Sequence, residues 1–247
     1  MFVLENGQSC QIRVDPPPSN KFSIVEKVSF LIKKGRMMSE HEKLPIIQQA
    51  LEWCYTNAIE GRGFIKSDQD FAEEYLSSSN GNKEEAANSL IRWSAIKAGS
   101  SGFVTGFGGL LTLPVTIPTD VSATYFIQLR MIAAIAHMGG HDVCGDRVKT
   151  LCFLCLLGES AAGTFSKTIG KPVTAKLMTK MIEKVPGKVL IEINKAVGFR
   201  LITKAGSTGI INLTKMLPVA AALVGGGFNY STSWGAGKAA KKIFITA

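Results

Sequence analysis

Two uncharged, glycine-rich runs of 22 residues each constrain the fold of this 247-residue chain more than any other feature. The first extends from Ala98 to Thr119 and the second from Met216 to Gly237. The motif K-A-G-S-[S/T]-G begins at Lys97, ahead of the first run, and returns 107 residues later at Lys204. This repetition predicts two pseudo-symmetric, glycine-rich apolar helical hairpins (97–138 and 204–244) packed around a pseudo-two-fold axis.

The remainder of the chain predicts helices. Apolar residues recur at helical spacing, and no alternating pattern is long enough for a strand, so the predicted class is an all-α helical bundle. Three parts are expected: an extended Pro-rich arm (1–20), an N-terminal helical cover (21–94) and a core that carries the repeat (95–247). Ser67 and Asn82 precede acidic residues at the spacing of helix N-caps and predict two helix starts in the cover.

The charge is strongly uneven along the chain. Residues 1–93 hold 11 basic and 13 acidic residues, whereas residues 94–247 hold 17 and 6. A net charge of +11 on the second part favours an anionic partner, either a phospholipid surface or a nucleic acid. Because no nucleic-acid-binding motif accompanies the charge, we expect an anionic membrane surface and no nucleic acid.

Residues 164–204 are predicted to be helical and basic, with a break at Pro186-Gly187, and they carry much of this charge. Lys176, Lys180, Lys184 and Lys188 recur every fourth residue and would share one face, opposite an apolar stripe at 177–185. Such an amphipathic helix is typical of a membrane surface, although a plain solvated face has the same pattern.

The two uncharged runs leave three alternatives open. Each is long enough to span a bilayer, but Pro114 and Pro118 would interrupt a single helix. The spacing of Gly99, Gly102 and Gly106 suits close helix packing, either in a membrane or in a soluble core. The two runs could therefore form a buried core, an interfacial hairpin or a true membrane span. Of the two membrane alternatives, peripheral attachment is preferred to integral insertion.

Polar residues near the repeats predict either a structural network or a binding site. Asp120 follows the first run and Asn229 lies in the second, so the two are expected to face one another. Arg130 would pair with Asp120 or Asp142 to avoid a lone buried charge. The full expected network is Asp120, Gln128, Asp142, Arg147 and Asn229.

Two functional alternatives use the same region. Arg130 and Lys204 are candidates for binding an anionic head group beside the repeats. An enzyme acting on a lipid-like substrate would instead use Asp120, Arg130 and His137 in a pocket between the repeats, although no nucleophile–base pairing stands out.

A metal site is a further alternative. His137, His141, Cys144, Cys152 and Cys155 are zinc-type ligands within 19 residues. Cys152 and Cys155, however, lie in the apolar sequence L-C-F-L-C-L-L, where they are typical of small core residues. The glycine-rich segment lacks the pattern of a phosphate-binding loop, so no cofactor is predicted.

The segments 102–120 (G-F-V-T-G-F-G-G-L-L-T-L-P-V-T-I-P-T-D), 129–137 (L-R-M-I-A-A-I-A-H) and 225–229 (G-G-G-F-N) resemble the EcsC protein family. Over roughly residues 40–245, the resemblance implies a cytoplasmic or membrane-associated protein without an established reaction. The family's association with a gene cluster for an ABC-type exporter implies a transporter as a partner.

These observations predict a non-enzymatic accessory or regulatory protein that binds anionic lipid. The N-terminal residues lack the basic and apolar segments of a signal peptide, and five cysteines without framework spacing are expected to be reduced thiols. The expected location is therefore the cytoplasm, peripherally on the inner face of a membrane.

Overall fold

A computed structural model of the protein describes residues 40–61, 66–100, 119–208 and 218–245. Within these ranges the regular structure is helical and contains no strand, which confirms the all-α class. The helices are α1 (Glu40–Glu60), α2 (Asp68–Ser78), α3 (Lys83–Gly99), α4 (Thr119–Met138), α5 (Asp146–Cys155), α6 (Ser160–Ile169), a 3-10 helix (Ala175–Leu177), α7 (Met178–Ile182), α8 (Gly187–Thr208) and α9 (Pro218–Phe244).

Local capping signals fix the starts of two helices. The Ser67 hydroxyl oxygen accepts a hydrogen bond from the Asp70 amide at 3.1 Å, so α2 begins at Asp68. The Asn82 side-chain oxygen accepts from the Glu84 and Glu85 amides at 3.1 and 3.3 Å, which starts α3. Both predicted N-caps are confirmed, because these side chains satisfy amides that have no partner within the helix.

Helix α4 forms the centre of the core. It packs against α1, α2, α3, α5 and α9. Between Phe126 and Ala136 every side chain is buried except Arg130. A helix that is apolar almost all round must be surrounded by other elements, which accounts for its position. The buried apolar residues of α1–α3 and of the later helices form one continuous cluster, and the predicted domain boundary at 94 falls inside α3.

Helices α3 and α9 run antiparallel and approach closely through glycines. A Cβ added to Gly226 would lie 2.5 Å from the Gly99 carbonyl oxygen, so the two backbones leave no space for side chains at this crossing. Further along, Lys241 of α9 donates to the Asn88 side chain of α3 at 3.0 Å. Residues near the end of α3 therefore meet residues in the first half of α9.

Helices α4 and α9 run parallel. The Gln128 amide donates to the Ser233 hydroxyl at 3.0 Å, and His141, just beyond α4, lies 3.3 Å from the Phe244 carbonyl oxygen at the end of α9. The last residue of α3 (Gly99) and the first residues of α4 (Thr119) and α9 (Pro218) therefore lie at the same end of the bundle. We call this the glycine-run end, because Gly99 and Thr119 belong to the first uncharged run and Pro218 belongs to the second.

The predicted pseudo-two-fold pair of hairpins stays a prediction. Most of the first run (101–118), the segment 209–217 and the Pro-rich arm lie outside the described residues. Helices α3 and α4, which flank the first run, pack against each other. Of the two that flank the second, α8 packs against α1, α5 and α6, whereas α9 packs against α3 and α4.

The basic segment before the predicted break at Pro186-Gly187 is not one helix, whereas α8 does begin at that break. Helix α6 ends at Gly170, whose φ of +70° lies in the left-handed region that glycine adopts without strain. Pro172 then removes an amide donor and disfavours helical backbone at the residue before it. The chain resumes as the 3-10 helix, the one-turn helix α7 and, after a turn at 183–186, α8.

Candidate functional site

Two polar side chains of α4 face α2 from an otherwise apolar helix. Arg130 and His137 are seven residues apart, so they lie on the same side of α4 two turns apart. Both are half-buried, whereas their neighbours at 131–136 are buried. The structure thus brings together two of the three residues predicted for the enzyme alternative.

The residue that completes this cluster is Asp68, which the sequence patterns did not single out. It is the first residue of α2 and is only 3% exposed. Its Oδ2 atom lies 3.7 Å from His137 Nδ1 and has no hydrogen-bond partner among the described residues. We call Asp68, Arg130 and His137 the acid–base cluster.

Arg130 is held in place by contacts with α2 and with the residues just before that helix. Its guanidinium lies 3.9 Å from the centroid of the Phe71 ring, and its Nη2 donates to the Lys66 carbonyl oxygen at 3.1 Å. Its Nε is buried and makes no hydrogen bond within the described part of the chain. A cation stacked on an aromatic face is stabilised by the ring quadrupole, which fixes the guanidinium next to α2.

Of the two predicted partners of Arg130, only Asp142 has a described side chain. Asp142 is exposed and accepts a hydrogen bond from the Cys144 amide at 3.0 Å. For Asp120, in the first turn of α4, the structure describes the helical backbone but not the side chain. The carboxylates that raise the pKa of Arg130 are Glu74 and Asp68, both on α2, although burial lowers it by more.

Burial also sets the protonation of the other two members. It raises the pKa of Asp68 from 3.8 to about 7, against the opposing effect of the Gln69 and Asp68 amides and of Arg130. It lowers the pKa of His137, against the opposing charge of Glu73. Both shifts favour the neutral forms, because desolvation penalises charge. Near neutral pH the cluster therefore combines an exchangeable carboxyl proton, an imidazole and a guanidinium.

The predicted structural network forms only in part. Gln128 is buried and donates to Thr232 and Ser233 at 3.3 and 3.0 Å, so it joins α4 to α9. Arg147 is exposed, and its Nε donates to the Ile182 carbonyl oxygen at 3.3 Å. Asn229 is half-buried, and its backbone carbonyl oxygen accepts a hydrogen bond from the Thr232 hydroxyl at 3.2 Å. Asp142 and Arg147 therefore make their described hydrogen bonds away from Gln128, and one shared network stays a prediction.

The metal alternative is not supported. The described residues contain no group of histidines, cysteines and acids that could hold a metal ion. Cys152 and Cys155 are buried and reduced. Burial raises the pKa of Cys152 to about 12 and raises that of Cys155 well above its usual value, which opposes the thiolate form that metals need. Cys144 is disulfide-bonded, so the prediction of five reduced thiols is wrong for this residue.

The predicted lipid-binding lysines are spread over several elements. Lys176 lies in the 3-10 helix, Lys180 in α7, Lys184 in the following turn and Lys188 in α8, and all four are exposed. The apolar residues between them face inward in part, with Met178, Ile182 and Val185 buried and Leu177 exposed. Lys204 lies in α8, where only its helical backbone is described.

A second polar surface follows α9. A groove of about 1090 Å³ runs between α9, the turn that joins α5 to α6, and Ala175. It contains three lysines (Lys238, Lys241 and Lys242) and one acid, Glu159. We call it the α9 groove. The sequence signal for it is the basic cluster Lys238, Lys241 and Lys242 near the end of α9.

Fold and sites together define an all-α bundle with one buried acid–base cluster and separate exposed cationic surfaces. The chain belongs to the EcsC protein family, because the model of that family matches residues 24–245. Comparison with curated proteins and with solved structures finds no match. Among the described helices, none is long and apolar enough to cross a membrane.

Proposed function

We propose that this protein is a peripheral membrane-binding protein with an accessory or regulatory role, and that it attaches to anionic lipid through the glycine-run end. The observation that carries the proposal is the exposure of large apolar side chains there. Trp93 and Ile96, in the last two turns of α3, are 52% and 44% exposed, and Phe228 and Tyr230 of α9 are also exposed. Soluble surfaces normally expose such residues singly, whereas interfacial surfaces group them.

Cations accompany these apolar residues. Arg92 and Lys97 are exposed beside Trp93 and Ile96 on α3, and neither has an acidic partner within 4.0 Å among the described residues. Each basic residue near an anionic leaflet contributes about 1 kcal/mol. Tryptophan favours the boundary between head groups and acyl chains, so this face of α3 suits shallow attachment to a charged surface.

The lysines at 176–188 have a different part in the proposal. Because they lie on separate elements, they do not form one flat contact face. We assign them long-range attraction to the anionic surface, which salt screens over about 8 Å at physiological ionic strength. The ABC-type transporter partner implied by the family resemblance stays a prediction.

Vesicle co-flotation tests the attachment surface. We expect the full chain to float with anionic vesicles and much less with neutral ones, and Trp93→Ser/Ile96→Ser to reduce flotation at every salt concentration. The matched control is Ile191→Ser/Phe199→Ser, which removes two equally exposed apolar residues from α8. A loss of flotation in the α8 variant alone would move the attachment surface away from the glycine-run end and contradict the proposal.

Charge reversal tests the electrostatic part. Lys176→Glu/Lys180→Glu/Lys184→Glu/Lys188→Glu should weaken flotation at low salt, and the difference from the unmodified chain should disappear at high salt. If the quadruple variant floats like the unmodified chain at low salt, these lysines have no role in binding.

A second candidate function, an enzyme acting on a lipid-like substrate, is favoured by the acid–base cluster. Asp68 retains a proton near neutral pH beside His137, and Arg130 would orient an anionic group. The test is incubation with mixed lipid vesicles followed by mass spectrometry of the lipids. Product formation by the unmodified chain and its loss in His137→Gln would favour the enzyme over the binding protein.

A further inference from the structure

We propose that the α9 groove binds a single-chain anionic amphiphile, which is one acyl or alkyl chain with a phosphate or carboxylate head group. The groove shares Phe228 with the attachment surface proposed above, but ligand binding in it does not depend on vesicle binding. The groove has about 1090 Å³, close to the upper end of the range for small-molecule sites.

Excess positive charge indicates the head group, because the groove contains three lysines and one acid, Glu159. Lys238 and Lys242 are exposed one turn apart on α9, and neither has an acidic partner within 4.0 Å among the residues that the structure describes. Like charges at this spacing destabilise a helix. Lys241 between them is different, because its ammonium pairs with Glu84 of α3 at 2.7 Å. An anion that bridges Lys238 and Lys242 would remove their repulsion.

The rest of the lining indicates the acyl or alkyl chain of the ligand. Small and apolar residues dominate it, and the alanines leave space where larger side chains would fill the groove: Leu157, Ala161, Ala162, Ala175, Ala239 and Ile243. A polar head group alone would gain nothing from this apolar lining. A ligand that covers both parts of the groove must therefore be amphiphilic.

An aromatic side chain marks the boundary between the two parts. Trp234 lines the groove, and the Lys238 ammonium lies 5.5 Å from the centroid of its ring. Trp234 also stacks with the Tyr230 ring at 6.1 Å between centroids. Tryptophan fixed in this way presents an apolar surface next to a cation, which suits the junction between a head group and a chain.

Isothermal titration calorimetry of the full chain tests the site without vesicles. The probes are decyl phosphate and decanoate, with decyl maltoside as the neutral amphiphile, each below its critical micelle concentration. We expect at least one anionic probe to bind and the neutral probe to bind at least tenfold more weakly. Tighter binding of decyl phosphate would identify a phosphate head group, and tighter binding of decanoate a carboxylate.

Two variants locate the site. Lys238→Glu/Lys242→Glu should weaken binding of the anionic probes at least tenfold. The matched control Lys167→Glu/Lys171→Glu changes two exposed lysines that are also four residues apart but do not line the groove, and it should leave affinity unchanged. Ala162→Leu should weaken binding by filling the groove without a change in charge. Circular dichroism checks that each variant is folded. Equal affinity for neutral and anionic probes, or equal loss in both charge variants, would overturn the proposal.

Discussion

Replacing Asp68 by asparagine should remove a pH dependence that this buried carboxyl imposes on the stability of the fold. Burial raises its pKa from 3.8 to about 7. Between these two values the folded chain holds a proton that the unfolded chain has released. The free energy of unfolding therefore falls as pH rises through this window, and above about pH 7 it falls no further.

The magnitude follows from the size of the shift. One pKa unit corresponds to about 1.4 kcal/mol, so a shift of about three units corresponds to about 4 kcal/mol between pH 4 and pH 7. His137 acts in the opposite direction. Because burial lowers its pKa, the unfolded chain binds more protons below about pH 6.5, and this contribution to stability rises with pH.

Urea unfolding followed by circular dichroism at pH 5, 6, 7 and 8 measures the effect. Relative to the unmodified chain, Asp68→Asn should gain about 1.4 kcal/mol per pH unit up to pH 7 and then level off. The comparison with the unmodified chain removes the part of the His137 contribution that both proteins share.

Asp146→Asn provides the matched control. Asp146 is also the first residue of its helix, but its side chain is 81% exposed and pairs with Lys149 on the surface. Its substitution should change stability by less than about 0.5 kcal/mol at every pH. If the difference between Asp68→Asn and the unmodified chain is constant from pH 5 to pH 8, Asp68 is ionised throughout and the reasoning from burial is refuted.

Two further predictions concern packing around α9. Gly226→Ala should destabilise the fold by about 1–3 kcal/mol, because the new Cβ would lie 2.5 Å from the Gly99 carbonyl oxygen, whereas Gly227→Ala, with nothing within 4 Å, should be neutral or stabilising. Gln128→Leu should cost about 1–3 kcal/mol by leaving the buried Ser233 hydroxyl without its partner, and Gln128→Leu/Ser233→Ala should recover part of that loss. Urea unfolding measures the free energy of unfolding for both predictions. Equal effects of Gly226→Ala and Gly227→Ala would contradict the first, and no recovery in Gln128→Leu/Ser233→Ala would contradict the second.

Features that depend only on residues close together in the sequence could be predicted from it. Ser67 and Asn82 cap helices through their own side chains, and the apolar periodicity of 121–138 indicates a buried helix whatever surrounds it. The basic series at 167–188 shows the limit of such patterns. A lysine at about every fourth residue is compatible with one helix, but Gly170 and Pro172 end the helix. Glycine and proline influence backbone conformation more than the spacing of the lysines does.

The acid–base cluster could not be predicted because its members come from separate helices. Asp68 follows an N-cap serine, and an acidic residue there is an ordinary first-turn feature. Only the packing of α2 against α4 buries it beside His137. The acids around Arg130 show the same effect: Asp142, near it in sequence, is exposed, whereas α2 supplies Asp68 and Glu74. The predicted pairing with Asp120 lies outside the described side chains.

The acid–base cluster and the proposed attachment residues can be perturbed separately because they lie on different helices. Asp68 is on α2 and is only 3% exposed, whereas Trp93 and Ile96 are exposed on α3. Replacing Asp68 changes no exposed apolar or basic side chain, so it should have little effect on attachment. Asp68→Asn should therefore float with anionic vesicles like the unmodified chain at pH 7. Reduced flotation of a folded Asp68→Asn protein would mean that α2 and α4 take part in membrane binding, and that the acid–base cluster regulates it.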